Sequence, residues 1–167
     1  LGPVGVGKTF LACALGHGAC RAGRKVLFLR SDELLKRIHQ SRADNSTEKV
    51  LRSLLAPDLL IIDDFGLKPL RPSQDEDFHD VIAERYERKS TIVTSNLDIP
   101  EWTDAFPNRI LAEATIDRLR HVAYTVVLTG KSYRSPRPLP ETQKSTVAKQ
   151  EKNAKSSTRP RPFFQTP

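Results

Sequence analysis

Apolar positions along the chain alternate between helical spacing and short unbroken runs. From Lys8 to Ala22 they recur every three to four residues and Gly23 follows as a C-cap, which predicts a helix over 8–22. Lys25 to Leu29 (KVLFL) is a compact apolar run and predicts a buried strand. Ser31 with Asp32 and Glu33 behind it reads as the N-cap of a helix reaching Gln40, and the polar stretch Arg42 to Ser46 reads as a turn. Ser46 then caps a helix to Leu55, closed off by Pro57. Leu59 to Ile62 is four aliphatics ending in two carboxylates, again a buried strand. Ser73 with Glu76 three residues on has the form of a capping box, predicting a helix to about Arg88. Thr91 to Thr94 is β-branched and predicts a strand, Trp102 and Phe106 lie in a short connection of helical character, Ile110 to His121 reads as a helix, and Ala123 to Leu128 as a last strand. Strand and helix in alternation, without internal repeats, imply an α/β fold on a mainly parallel sheet.

Composition divides the chain in two. Its 167 residues leave room for one domain, and nearly all aliphatic runs fall before Gly130. Residues 1–134 are therefore read as the folded domain, and 135–167, rich in Pro, Lys, Ser and Thr, as a disordered basic tail. The net charge of +7 lies in the tail and its approach: nine of the 27 Lys/Arg and only two of the 20 Asp/Glu lie beyond Gly130, and residues 1–130 sum to zero. The folded part is balanced, so a polyanion such as DNA would be drawn to the tail, whose composition also fits a merely solvated terminus. Cys13 and Cys20, about 10 Å apart on one helix, are too distant for a disulfide and read as small buried hydrophobes. With His17 they lack the fourth ligand a zinc site needs. No signal peptide opens the chain and no apolar run approaches the roughly 20 residues that span a bilayer, so no membrane partner and a cytoplasmic location are expected.

Gly2-Pro3-Val4-Gly5-Val6-Gly7-Lys8-Thr9 fits G-x-x-x-x-G-K-[ST] at every fixed position. Glycines let successive N–H groups curl toward phosphate oxygens, and the following helix turns its positive end to the same anion. Lys8 is expected on the β- and γ-phosphates of ATP, and Thr9 on Mg²⁺. Some fifty residues later the strand LLII ends in Asp63-Asp64 at the sheet edge where ligands of open α/β folds bind. Asp63 is then a metal-holding carboxylate and Asp64 the group that polarises attacking water. Ser95 and Asn96 end the strand TIVTSN. With that strand between the P-loop strand and the Asp63 strand, Asn96 would face the γ-phosphate and orient water.

The run DLLIIDDFGLKPL (58–70), TSN (94–96), LAEATIDRLRH (111–121) and GKSYR (130–134) resembles the IstB-like branch of the AAA+ ATPases, over about 1–134. These are transposase helper proteins, similar to DnaC-like replicative helicase loaders. The resemblance implies an AAA+/ASCE P-loop NTPase, a three-layer α/β sandwich that hydrolyses ATP. It also implies an ATP-dependent homo-oligomer on DNA without sequence preference, and a transposase partner. By it Arg118 matches the arginine finger reaching a neighbouring subunit's ATP, and Arg134 the sensor-2 position contacting phosphate in its own chain. A helicase loader is the alternative within the same resemblance. A P-loop small-molecule kinase is more remote, since the IIDD and TSN strand ends argue against it.

Two departures bear on activity. Asp64 stands where many AAA+ proteins carry Glu, one methylene longer, so slow turnover is expected. The sequence opens at Leu1 on the P-loop itself, so the strand that precedes a P-loop is expected to be missing from a truncated chain. Without it the strands ending at Asp63 and Asn96 are expected to lose a shared neighbour, and the fragment to fold poorly or bind ATP weakly.

Overall fold

All three apolar runs that form strands are parallel. The structure, a computed structural model, describes residues 1–121 and 123–134. The tail assigned to 135–167 lies outside the described residues. β1 (Val26–Arg30), β2 (Leu59–Phe65) and β3 (Ser90–Ser95) hydrogen-bond in the order β1-β2-β3, with β2 buried along almost its whole length. Parallel strands covered on both faces need unbroken aliphatic character, which LLII supplies.

Alternation along β2 assigns its two faces. Leu59 and Ile61 pack with Ala12 of helix α1 (Lys8–Arg21), while Leu60 and Ile62 enter a larger core. That core is closed by α2 (Ser31–Ala43), α3 (Thr47–Leu55), α4 (Gln74–Arg85) and α5 (Arg109–His121). The result is a three-layer α/β sandwich. At the sheet's C-terminal end Phe65 stacks on Phe78 at 4.7 Å and meets Trp102 edge-on at 4.9 Å, tying a 3₁₀ helix (Ile99–Ala105) to the strand that carries Asp63. Among the described residues no helix is long and apolar enough to cross a membrane.

Arg85 is 1% exposed, and its guanidinium works as a backbone clamp. It donates to the carbonyls of Leu54 (3.0 Å), Leu55 (3.3 Å), Pro57 (3.0 Å) and Ser90 (2.6 Å) and to the Thr91 hydroxyl (3.1 Å). It thereby satisfies the orphan carbonyls at the end of α3 and holds the entrances of β2 and β3 together. Helix α4 stops at this residue, short of Arg88, and Glu87 turns the chain at φ 56°.

The Ser73–Glu76 capping box does not form. Ser73 takes φ 73° and makes no side-chain cap bond, and the Gln74 side chain accepts the Arg71 N–H in its place. Ser31 is likewise not a cap but the first, buried residue of α2, with Arg30 at the N-cap position. That helix runs on to Ala43, absorbing part of the expected turn. Ala123 to Leu128 is not a strand. A strand needs a ladder, and beyond the turn bond from Ala123 N–H to Arg120 O the described backbone bonds here run to the single residue Leu1, whose amine donates to Val126 O and whose carbonyl accepts Leu128 N–H. Side chains from Ala123 to Val127 stay exposed, Tyr124 at 99%, and Leu128 is half-buried. The strands ending at Asp63 and Asn96 need no shared neighbour, because β2 and β3 pair directly. Nor are the cysteines both buried: Cys13 is half-buried and Cys20 exposed, since the face of α1 toward the sheet is taken by Ala12 and Gly16.

Asp77 on α4 is 5% exposed and accepts the Arg42 guanidinium on Oδ1, leaving Oδ2 without a partner. Burial pushes its carboxyl above the ordinary carboxylate value, against the opposing pull of Arg42. A group raised on folding contributes stability that is complete below its unfolded pKa and is lost as pH rises through its folded pKa. Unfolding free energy should therefore drop as pH is raised through that window, and Asp77→Asn should flatten the drop in urea titrations at stepped pH. A slope identical in the variant would rule Asp77 out as its source.

Candidate functional site

The loop Gly2 to Gly7 crosses from Leu1 into the first turn of α1, which begins at Lys8 and carries no acidic residue to compete for its positive end. Two glycines are required here by contact as well as by dihedral. A Cβ on Gly2 (φ 133°) would lie 2.1 Å from Leu128 O, and one on Gly5 (φ 85°) 2.0 Å from Ser132 Oγ. The segment 128–134 thus lies along the loop. Tyr133 N–H donates to Gly5 O at 2.9 Å, and Ser132 Oγ accepts Arg134 N–H at 3.1 Å. Pro3 and Val4 face solvent, while Val6 is buried beneath the loop.

Lys8 turns back into the loop, its Nζ donating to Gly2 O at 2.6 Å and Pro3 O at 2.7 Å. Those carbonyls hold the ammonium within the curl of the loop. Desolvation lowers its pKa, with Arg134 adding in the same direction and Asp64 and Asp63 opposing. Arg134 follows Tyr133, whose N–H bonds the loop, and its own side chain is exposed.

Thr9 Oγ1 reaches both carboxylate oxygens of Asp63 at 3.0 Å, joining the start of α1 to the end of β2. Asp63 is 4% exposed and accepts a second hydroxyl, that of Thr94. Among the described residues no cation is bonded to this buried carboxylate. A hydroxyl and a carboxylate, both hard oxygen donors, fit the protein's share of a Mg²⁺ site whose remaining ligands are phosphate and water. Asp64 follows at φ 57°, half-buried, its N–H accepted by Thr94 Oγ1 at 3.1 Å.

Ser95 belongs to the scaffold: it is fully buried, donating to Phe65 O and accepting Leu97 N–H. Asn96 stands half-exposed just past the end of β3, on the same sheet edge as Asp63 and Asp64. Arg118 stands on α5 and shares a cleft with Lys8 without bonding to it. Its Nη1 donates to Ala114 O at 2.8 Å, and it lines a cleft of about 710 Å³ along the free edge of β3, with Tyr86, Thr91 and Val126. Structure therefore gathers Gly2 to Thr9, Asp63, Asp64 and Asn96 at one end of the sheet, with exposed Arg134 one residue past the Tyr133–Gly5 contact, and leaves Arg118 half-buried on α5. The sequence reading missed Thr94 and Ser132. The available signal for Thr94 was a hydroxyl at the last buried positions of a β-branched strand, two residues before Asn96.

A family profile described as IstB-like ATP binding protein matches residues 1–139. An insertion-sequence ATP-binding protein of Sinorhizobium fredii is 43% identical over 133 residues, covering 80% of this chain and 54% of that protein. The insertion sequence IS21 ATP-binding protein of Pseudomonas aeruginosa is 40% identical over 134 residues, covering 80% of this chain and 51% of that one. The chain spans about half the length of the curated relatives it matches. Among solved structures, the DnaC helicase loader is similar at a TM-score of 0.67 and 27% identity, covering 77% of this chain and 75% of its own.

Proposed function

The chain belongs to the IstB-like ATP-binding protein family, and from that premise we propose that it is the ATP-handling part of a DNA transposition helper. In this reading residues 1–134 form the ATP-binding domain and 135–167 a basic tail. The protein assembles on DNA when ATP is bound, and a transposase engages that assembly. The observation that carries the reading is the Thr9–Asp63 contact beside Lys8, which puts a P-loop and a strand-end carboxylate in bonding distance. Lys8 holds the β- and γ-phosphates, Thr9 and Asp63 hold Mg²⁺, and the metal when bound neutralises charge on the phosphates. Asp64 polarises the attacking water, Asn96 orients it, and Arg134 contacts phosphate from the same chain. The tail, with seven basic and two acidic residues in 135–167, supplies a sequence-independent hold on DNA.

Arg118 fits a role in trans better than in cis. Among the described residues it makes no hydrogen bond or ion pair with the loop of its own chain, and its bond to Ala114 O is one that a neighbouring nucleotide would outcompete. The test combines assembly with complementation. Sedimentation on duplex DNA should show a larger species with ATP than with ADP. Lys8→Ala and Arg118→Ala proteins, each inactive, should regain ATPase when mixed, because one subunit keeps the P-loop and the other the arginine. Failure of any mixing ratio to restore hydrolysis would reject the shared site.

A second reading, a replicative helicase loader, is favoured by the DnaC likeness. It uses the same nucleotide chemistry. Stimulation of a hexameric helicase, not of a transposase, would decide for it.

A further inference from the structure

The register between β2 and β3 breaks at the two aspartates. Ile62 faces Val93 and Phe65 faces Ser95, so Asp63 and Asp64 together stand opposite the single residue Thr94. This is a β-bulge in a parallel pair, a rare place for one, and bulges re-aim side chains next to functional sites. Asp64 absorbs the extra length in the left-handed region at φ 57°, which a non-glycine residue adopts only under constraint.

Thr94 stands where the ladder is interrupted, and its hydroxyl takes the ladder's place. It is 5% exposed and makes two bonds of opposite sense: it donates its one proton to Asp63 Oδ1 and accepts the backbone N–H of Asp64. One side chain thus fixes the carboxylate of the first aspartate and the backbone of the second. Thr9 also donates to Asp63, but Thr9 is the hydroxyl that the reading above assigns to the metal. When Thr9 turns away, Thr94 is the protein donor left on Asp63 among the described residues.

We infer that Thr94 is a positioning residue for both acidic groups, holding Asp63 with one oxygen free for Mg²⁺ and locking the bulge that aims Asp64. The inference rests on the nucleotide-site reading for its metal, while its geometric half can be read without nucleotide. Outer-shell partners of metal-holding carboxylates commonly change metal affinity by about 10–100-fold.

The test uses the full chain with Thr94→Val, which keeps the shape and removes the hydroxyl, and Thr94→Ser, which restores it. In metal-free, nucleotide-free protein, amide hydrogen exchange at Asp64 should be at least about tenfold faster in T94V, with other β2 amides unchanged. In a binding titration with a fluorescent ATP analogue, T94V should need about tenfold more Mg²⁺ for half-effect while its affinity in EDTA stays that of the parent. T94S should recover both. Unchanged Asp64 exchange in T94V, an unchanged Mg²⁺ requirement, or T94S as defective as T94V would each overturn the assignment. If T94V does not fold, Thr94→Ala carries the same expectations. If the parent chain binds no nucleotide, the nucleotide-site reading fails, and Asp64 exchange alone then decides the positioning role.

Discussion

Lys8→Ala should lower ATP affinity by about a hundredfold, some 2.7 kcal/mol, the scale of one to two charge-assisted hydrogen bonds. The side chain is held in the loop by Gly2 O and Pro3 O, so only a short movement carries its ammonium to a phosphate. Those carbonyl bonds are exposed or half-exposed, and losing them costs the fold little. Affinity should therefore fall while the unfolding midpoint in the absence of nucleotide hardly moves. The same geometry sets a pH dependence. Binding needs the ammonium form, and Lys8's pKa is lowered by desolvation and further by Arg134. Affinity should accordingly be flat at neutral pH and decline on the alkaline side earlier than an ordinary lysine would allow. Arg134→Gln should move that decline to higher pH, whatever it does to affinity itself. Titration calorimetry across pH measures both effects. An alanine variant binding ATP like the parent would exclude Lys8 from the phosphate site.

Much of this site was legible in the sequence because its signals are local. A glycine pattern before Lys-Thr needs no tertiary information to be read as a phosphate loop, and LLII followed by two carboxylates marks both a buried strand and its end. Thr94 was not legible, because its importance depends on a register break that only pairing with β2 creates. Ala123 to Leu128 misled for a related reason. β-branched composition expresses a preference for pleated, half-buried surroundings, and among the described residues this stretch finds no strand to pair with, only the single residue Leu1 and a turn bond to Arg120. Ser73 and Glu76 had the spacing of a capping box, but spacing does not fix φ, and Ser73 adopts 73°. Arg134 was named by family resemblance, and what geometry adds is that its neighbour Tyr133 bonds Gly5 O of the loop.

Arg85→Met should be the most damaging change away from the nucleotide, lowering stability by about 3 kcal/mol and the unfolding midpoint by roughly 10 °C. Methionine keeps the apolar stem and the volume, so the loss isolates the guanidinium. Four carbonyls, of Leu54, Leu55, Pro57 and Ser90, would lose their donor, and at least the Leu54 bond is fully buried. Each buried acceptor left unpaired costs about 1–3 kcal/mol, reduced where water can enter. Arg85→Lys should recover little, since a single ammonium on a flexible stem cannot match a planar fork bonded at Nε, Nη1 and Nη2. The damage should also reach the site by a defined route. Arg85 holds the start of β2 through Pro57 and of β3 through Ser90, the two strands whose far ends present Asp63, Asp64 and Asn96. ATP should then rescue Arg85→Met, shifting its unfolding midpoint upward as it does the parent's, because binding to the folded form alone stabilises in proportion to ligand occupancy. If the variant melts like the parent, the clamp is not what joins α3 to the sheet. If it melts low and ATP leaves it there, the strand entrances have moved far enough to disperse the residues at the other end.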